Sequence, residues 1–409
     1  MKSKLIKSLY LVFILLGLIP LLPFYYKPIG LILGLLISII VFIYNKKITF
    51  SFLFFNNILL FLLYLISYFA SDDKIYALKY IETSLPLLLF PLFFLFISSL
   101  KISIEKWQKL ENLFYKSYVI SSVIYSFLIF FYIYHLGYFS GEVTYDLCIS
   151  WLRAYFWGFQ NHPIYTSIFL GIALLFLIKL LIFCERQIIW YLLGGLIIIL
   201  ALLFLSRKGV LLALMPTVFF LFFQLVQQKR IRNIFILINI VSVLTLYFIF
   251  PSSFSRFTEV VNIETSKPLN TKNSTSIRLA IYKCAFTQVK DSGFLGFGIG
   301  DVKDRLNDCY KENAKPLVNQ HLNTHNAYLN IWLSLGFIGL LIFLFFLYKL
   351  LLLAIINRDY LFTSILIFYL IIFLFENVLD RQNGVLLFAF LMNFYTFKHI
   401  IILKETSEK

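Results

Sequence analysis

Charge is what this sequence has least of. Lys, Arg, Asp and Glu together make up 14% of its 409 residues, where a soluble domain carries about a quarter. With 61% hydrophobic residues, that shortage excludes an ordinary water-soluble globule. Acidic residues are the scarcer sign, 20 against 36 basic, for a formal charge of +16. Four cysteines and five histidines are scattered without the paired thiolate or carboxylate spacing of a metal site, so no metal or cofactor is expected. There is no repeat of solenoid period and no low-complexity tract.

What the chain does have is long apolar runs, such as 192–205 and 365–375, with no polar helical face. With their flanks they reach about 20 residues, enough to cross a hydrocarbon core of roughly 30 Å. The expected fold is an all-α polytopic membrane protein, a single integral domain over 1–409. Hydropathy places about twelve spans, near 7–26, 28–44, 50–70, 80–100, 112–136, 161–183, 187–206, 209–227, 233–251, 327–355, 360–379 and 383–403. Met1-Lys2-Ser3-Lys4 resembles the start of a signal peptide, but no small-residue cleavage site follows Leu21 and Leu22, so the first span is read as retained. Lysines and arginines, among them Lys101, Lys106, Lys109 and Arg358, collect in the loops that are inner if both termini are cytoplasmic. That orientation puts a segment of 252–326, between the ninth and tenth spans, on the outer side. The positive charge then reflects topology, and an anionic ligand in part, with no need for nucleic acid.

Within the outer segment, 276–290 reads as an amphipathic helix with Ile277, Ala280, Ile281, Cys284, Ala285 and Gln288 on one face. Gly293 supplies its left-handed stop. Next comes Gly293-Phe294-Leu295-Gly296-Phe297-Gly298-Ile299-Gly300-Asp301. No strand precedes it, so it reads as a close-approach turn against the membrane or a head group, with a phosphate nest as the sharper alternative. Asp301 is placed to cap a second short helix. Cys284 and Cys309 both lie here, and either bridge in an oxidising compartment or stand as two thiols.

The chemistry-bearing residues gather at the outer face. Arg207, in Ser206-Arg207-Lys208-Gly209, is either a snorkelling anchor or a guanidinium that grips a diphosphate through paired hydrogen bonds. Arg278 lies on the loop helix. His325, in Asn323-Thr324-His325-Asn326-Ala327-Tyr328-Leu329, closes the long polar segment. The plain reading puts it in a first helical turn capped by Asn323 or Thr324. The functional reading makes it a neutral imidazole that accepts a hydroxyl proton. His321 is a second choice. Glu376 is an ionisable residue at the outer end of a span, a functional candidate unless Arg381 simply pairs with it. His162, in Asn161-His162-Pro163, is a weaker supporting candidate, as is Lys208.

Ser206-Arg207 with Gly209, Arg278 in a long outer loop, Gly296-x-Gly298-x-Gly300, and His325-Asn326-Ala327-Tyr328-Leu329 followed by Leu335-Gly336-Phe337-Ile338-Gly339 resemble the O-antigen ligase and polymerase superfamily. The likeness covers roughly 160–400. It implies a fold similar to the GT-C glycosyltransferases and transfer of a glycan from undecaprenyl diphosphate at the periplasmic face of the inner membrane. The acceptor would be lipid A-core for a ligase, or another glycan repeat for an O-antigen or capsule polymerase. By the same resemblance Arg207 and Arg278 bind the diphosphate, and His325 activates the acceptor in an inverting reaction without a metal. The chain departs from the pattern in one place: many relatives carry a glutamate on the helix after the histidine, where Asn330 and Ser334 stand here. A carboxylate partner would then come from Glu376. A transporter of lipid-linked sugars is the alternative of another class, expected to show pseudo-repeats and helices broken near the midplane.

Overall fold

A computed structural model of the protein describes residues 2–46, 48, 51–156, 158–159, 161–183, 188–228, 232, 274–320 and 322–407. The expected span at 233–251, the first part of the outer segment and His321 lie outside the described residues. Among those described there are helices and no strands. In chain order they are α1 (Lys2–Gly17), α2 (Ile29–Asn45), α3 (Phe52–Ala70), α4 (Lys74–Ser84), α5 (Pro86–Ile97), α6 (Ile104–His135), α7 (Tyr145–Ala154), α8 (Pro163–Phe183), α9 (Ile188–Leu205) and α10 (Lys208–Leu225). Beyond the gap follow α11 (Ser274–Ser292), α12 (Val302–Asn313), α13 (Ala327–Ile356), α14 (Tyr360–Phe375) and α15 (Gln382–Ser407).

Nine helical segments among the described residues are long and apolar enough to cross a membrane, and they coincide with nine of the expected spans. The spans expected at 7–26 and 360–379 correspond to α1 and α14, shorter helices of 16 residues each. The chain is thus a multi-pass helical membrane protein. Burial sorts its helices: 89% of the most apolar stretch of α15 is enclosed and 78% of that of α8, against 33% for α9 and α10. The central helix α15 stacks Phe388, Phe390, Phe394 and Tyr395 against aromatic rings from α5, α6 and α14. In a medium as apolar as leucine, such close packing, more than water exclusion, is what holds helices together.

The helices of the long polar segment carry a core of their own. Ile281, Cys284 and Ala285 of α11 meet Val302, Leu306 and Cys309 of α12 over Leu329 and Leu333 at the start of α13. The bridge is present: Cys284 and Cys309 form a disulfide with their Cα atoms 5.7 Å apart. The expected amphipathic face of α11 is therefore the one that packs.

The glycine-rich turn is where the structure corrects the sequence reading. α13 breaks at Gly336, which adopts φ +70°, and the turn fills the break. The N–H groups of Phe337 and Ile338, which in an unbroken helix would bond Leu333 and Ser334, donate to Gly293 O (3.2 Å) and Phe294 O (3.3 Å). Phe297 N and Gly298 N donate in turn to the released carbonyls of Leu333 (2.8 Å) and Ser334 (3.1 Å). A Cβ on Gly296 would come within 2.5 Å of the Gly336 nitrogen, so only glycine allows the backbones to meet. Ile299 N and Gly300 N are taken by Ser67 Oγ and Ser71 Oγ, both at 3.0 Å. These N–H groups are committed to protein acceptors, so the glycines close onto protein and form no phosphate nest, while the tip residues Phe294 and Leu295 stay exposed. Asp301 stands before α12 but does not cap it. Its two oxygens instead accept from Asp72 N and Asp73 N, each at 2.8 Å, ahead of α4.

Candidate active site

The site is assembled where α14 ends. Its last residue is Phe375, and Glu376 follows in extended conformation (φ −152°, ψ 143°). Its carboxylate is buried, yet its two partners are not: Oε2 lies 3.3 Å from His325 Nδ1 and 3.6 Å from Arg278 Nη2, whose side chains remain 27% and 30% exposed. Burial alone would raise the carboxyl. His325, then Arg278, outweigh it and hold Glu376 below its ordinary value, as a carboxylate. Three residues from three distant stretches of sequence therefore form one charged cluster. The alternative of a plain Glu376–Arg381 pair gives way to Arg278, and Arg381 is exposed.

His325 is not in a helix. The cap of α13 is Asn326, whose Oδ1 accepts from Leu329 N at 2.9 Å, so Asn323 and Thr324 stand before the cap. His325 holds φ +47°, a strained value for a residue with a Cβ. Its neighbours fix it there. Its N–H donates to Asn323 Oδ1 (3.0 Å), and its carbonyl lies 3.1 Å from the Tyr282 hydroxyl of α11. The same hydroxyl reaches Leu374 O at 3.1 Å, and Asn326 Nδ2 donates to that carbonyl at 3.2 Å. A helix-terminal carbonyl with no partner in its own helix thus becomes the tie between α14, α11 and the histidine turn. Asn323 extends the network by donating to Asp380 Oδ2 at 2.9 Å. Burial pushes the Asp380 carboxyl up, against the pull of Lys303, Asn323 and Arg381.

Arg207 follows Ser206, another left-handed residue (φ +49°), and occupies the cap position of α10. Gly209 packs so closely on α14 that a Cβ there would come within 2.6 Å of Phe375 Cβ. The first turn of α10 therefore abuts the residue just before Glu376. Lys208 opens that turn, partly exposed. His162, just ahead of α8, has its imidazole pushed down to about 3, by burial first and then by Arg153 and Arg381, with Arg207 adding and Glu376 opposing. It is a neutral ring at any physiological pH, in the field of the same charges.

Asn330 and Ser334, where the resemblance would put a glutamate, are engaged elsewhere: Asn330 donates to Tyr80 OH (3.4 Å), and Ser334 Oγ donates to Ile331 O (3.3 Å). Glu376 occupies the carboxylate position beside the histidine instead. Tyr282 was not singled out from sequence. Its one signal was its place a full turn beyond Arg278 on the same helix.

Residues 192–344 match the family model described as O-antigen ligase. The chain carries a domain of the O-antigen ligase superfamily. This O-antigen ligase domain runs from α9 into α13 and contains Arg207, Lys208, Arg278 and His325; Glu376 and Arg381 lie beyond its end and His162 before its start. The match is narrower than the 160–400 over which the motifs resemble the superfamily. No curated protein matches the chain. That domain supports glycan transfer of O-antigen ligase or polymerase type by a glycosyltransferase-like membrane enzyme.

Proposed function

We propose that the chain transfers a glycan from undecaprenyl diphosphate to a sugar hydroxyl of lipid A-core, at the periplasmic face of the inner membrane, as an O-antigen ligase. The observation that carries the reading is the Glu376 carboxylate between Arg278 and His325. An ionised carboxylate only accepts hydrogen bonds, so His325 Nδ1 bears the proton and donates it. Nε2 of the neutral ring then keeps its lone pair and acts as the base. The acceptor O–H passes its proton to Nε2 while its oxygen bonds the anomeric carbon. The bond from that carbon to the diphosphate breaks, and its electron pair stays on the diphosphate oxygen.

Arg278 and Arg207 stabilise the charge that grows on that leaving group, with Lys208 beside Arg207. Glu376 stabilises the imidazolium formed on His325, and neutral His162 adds no competing charge. A single displacement of this kind inverts the anomeric configuration and needs no metal, since two guanidiniums supply the positive field. A transport role is less well supported: the one broken helix described, α13, has its break filled by four backbone hydrogen bonds rather than opened to a substrate.

The test is the glycan pattern of a deletion strain, resolved by gel and mass spectrometry. Long chains stranded on undecaprenyl diphosphate, with none on lipid A-core, are expected. Single repeat units on the core with no long chains anywhere would make the enzyme a polymerase. An unchanged pattern would overturn the transfer reading.

A further inference from the structure

The glycines of the 293–301 turn close onto α13, but the tip of the turn does not. Phe294 is 71% exposed and Leu295 75%. Two large apolar side chains at the apex of one turn are poorly placed in water. Their position against α13 shows what they meet instead.

Phe337 N and Ile338 N donate to Gly293 O and Phe294 O, so the tip is bonded to a known level of a membrane-spanning helix. Ile338 also heads an exposed apolar stripe, continued by Leu341, Phe345 and Tyr348 on the same face of α13. Lys349 is the first charge on that stripe, and its Nζ lies over the Phe345 ring at 5.3 Å. From Ile338 to Ile356, where α13 ends, the unbroken part of the helix runs about 27 Å at 1.5 Å per residue. The polar Asn357-Arg358-Asp359 follows, so the far edge of the hydrocarbon lies at or before it. A core of roughly 30 Å measured from there includes Ile338, and with it the tip. Trp332 stands before the break, with its ring 5.8 Å from that of Phe337, in the place of an interfacial aromatic.

Irregular backbone is tolerated at such depth only where protein satisfies its polar groups. Here the Gly293 and Phe294 carbonyls accept from α13, and Gly296 N, Phe297 N and Gly298 N donate to Ser292, Leu333 and Ser334 carbonyls. At the edge of the hydrocarbon, water and head groups reach the rest of the turn.

We propose that Phe294 and Leu295 insert among the acyl chains of the leaflet nearest the candidate site, continuing the lipid-facing stripe of α13. The exposed Lys290 and Asp291 just before the turn stay at head-group level. The end of α11, the helix that carries Arg278, is thereby held at the membrane surface. The insertion stands whether or not the chain transfers a glycan.

The experiment places a nitroxide at Leu295→Cys in the full chain, in phosphatidylcholine bilayers, with Cys148 and Cys184 replaced by serine and the Cys284–Cys309 bridge intact. Relaxation by oxygen, which enters hydrocarbon, is compared with relaxation by a water-soluble nickel chelate. The oxygen effect should match that at Leu341→Cys. The nickel effect should be at least about tenfold below that at Glu312→Cys on α12, because a hydrated chelate is excluded from hydrocarbon. Nickel access equal to that at Glu312→Cys would put the tip in water and overturn the proposal. Shielding from both reagents would mean a protein contact, such as a second copy of the chain, and would overturn the lipid assignment. The parent chain gives a second reading that needs no substitution. A phosphatidylcholine with a photoreactive acyl chain should label Phe294 or Leu295, and labelling of Leu341 without either would also overturn the proposal.

Discussion

Buried carboxylates meet cations at both ends of the bundle, and the two clusters are built to different tolerances. At one end Lys398 stands 2.8 Å from Glu111 and 3.0 Å from Asp359, with Tyr115 and Tyr395 completing the network. At the other, Glu376 is 3.3 Å from His325 and 3.6 Å from Arg278, and both partners keep more than a quarter of their side chains exposed. Short contacts among largely buried groups pair these charges within the protein. Longer contacts to partly exposed partners leave guanidinium N–H groups and an imidazole nitrogen for something else. The contrast fits a structural role for the first cluster and the proposed ligand-binding role for the second.

Substitutions should separate the two. The largest effect is expected for His325→Ala, which should lower glycan transfer by about 10²–10⁴-fold, the range of a positioned general base, while folding and membrane insertion persist. Normal transfer at matched expression would remove His325 from the mechanism. Lys398→Met should do the reverse. Leaving Glu111 and Asp359 without their cation should cost about 3 kcal/mol of stability, measured by denaturant unfolding in detergent, with transfer per folded molecule little changed. A variant as stable as the parent would mean the tight cluster is not the structural one.

Removing the bridge with Cys284→Ser should cost about 3 kcal/mol, expected for a loop of this size, concentrated in α11 and α12. Because α11 carries Arg278 and Tyr282, transfer should fall as well; protection of α11 against hydrogen exchange would report the loosening. Arg278→Lys should weaken donor use by about tenfold, since an ammonium cannot reproduce two parallel hydrogen bonds to a diphosphate. Full activity would show that only charge matters there.

The smallest effect is on acid stability. Glu376 is held below the ordinary carboxyl value, so its contribution is fully present above about pH 4.3, the unfolded value. It is lost as the pH falls through the lowered folded value. Unfolding midpoints between pH 6 and 3 should therefore decline less steeply in Glu376→Gln than in the parent. Parallel declines would show that Glu376 is not ionised in the fold.

Much of this was legible in sequence for definite reasons. Spans are set by apolar length, which is a local quantity, and so nine of the expected ones reappear as helices of spanning length. Arg278 and His325 were visible as chemistry-bearing residues of motifs that resemble the O-antigen ligase superfamily. The turn at 293–301 was misread because its glycines advertise close approach without saying to what. The answer lay at Gly336, where α13 breaks and exchanges hydrogen bonds with the turn. Arg381 was the natural partner for Glu376 by proximity in the chain, yet Arg278, almost a hundred residues earlier, is the one that arrives.

Composition and hydropathy alone determined that the chain is helical and crosses a membrane, because a bilayer requires each spanning backbone to satisfy its own hydrogen bonds. The sequence also supplied the cations and the histidine of the candidate site. Which carboxylate they share was decided only by tertiary structure. Tyr282 and Asn326 fasten α11 and the histidine turn to the open carbonyl at the end of α14, and that attachment brings Arg278 and His325 over Glu376. Ion pairs follow distance in space, and no periodicity along a chain encodes a contact made across three separate elements.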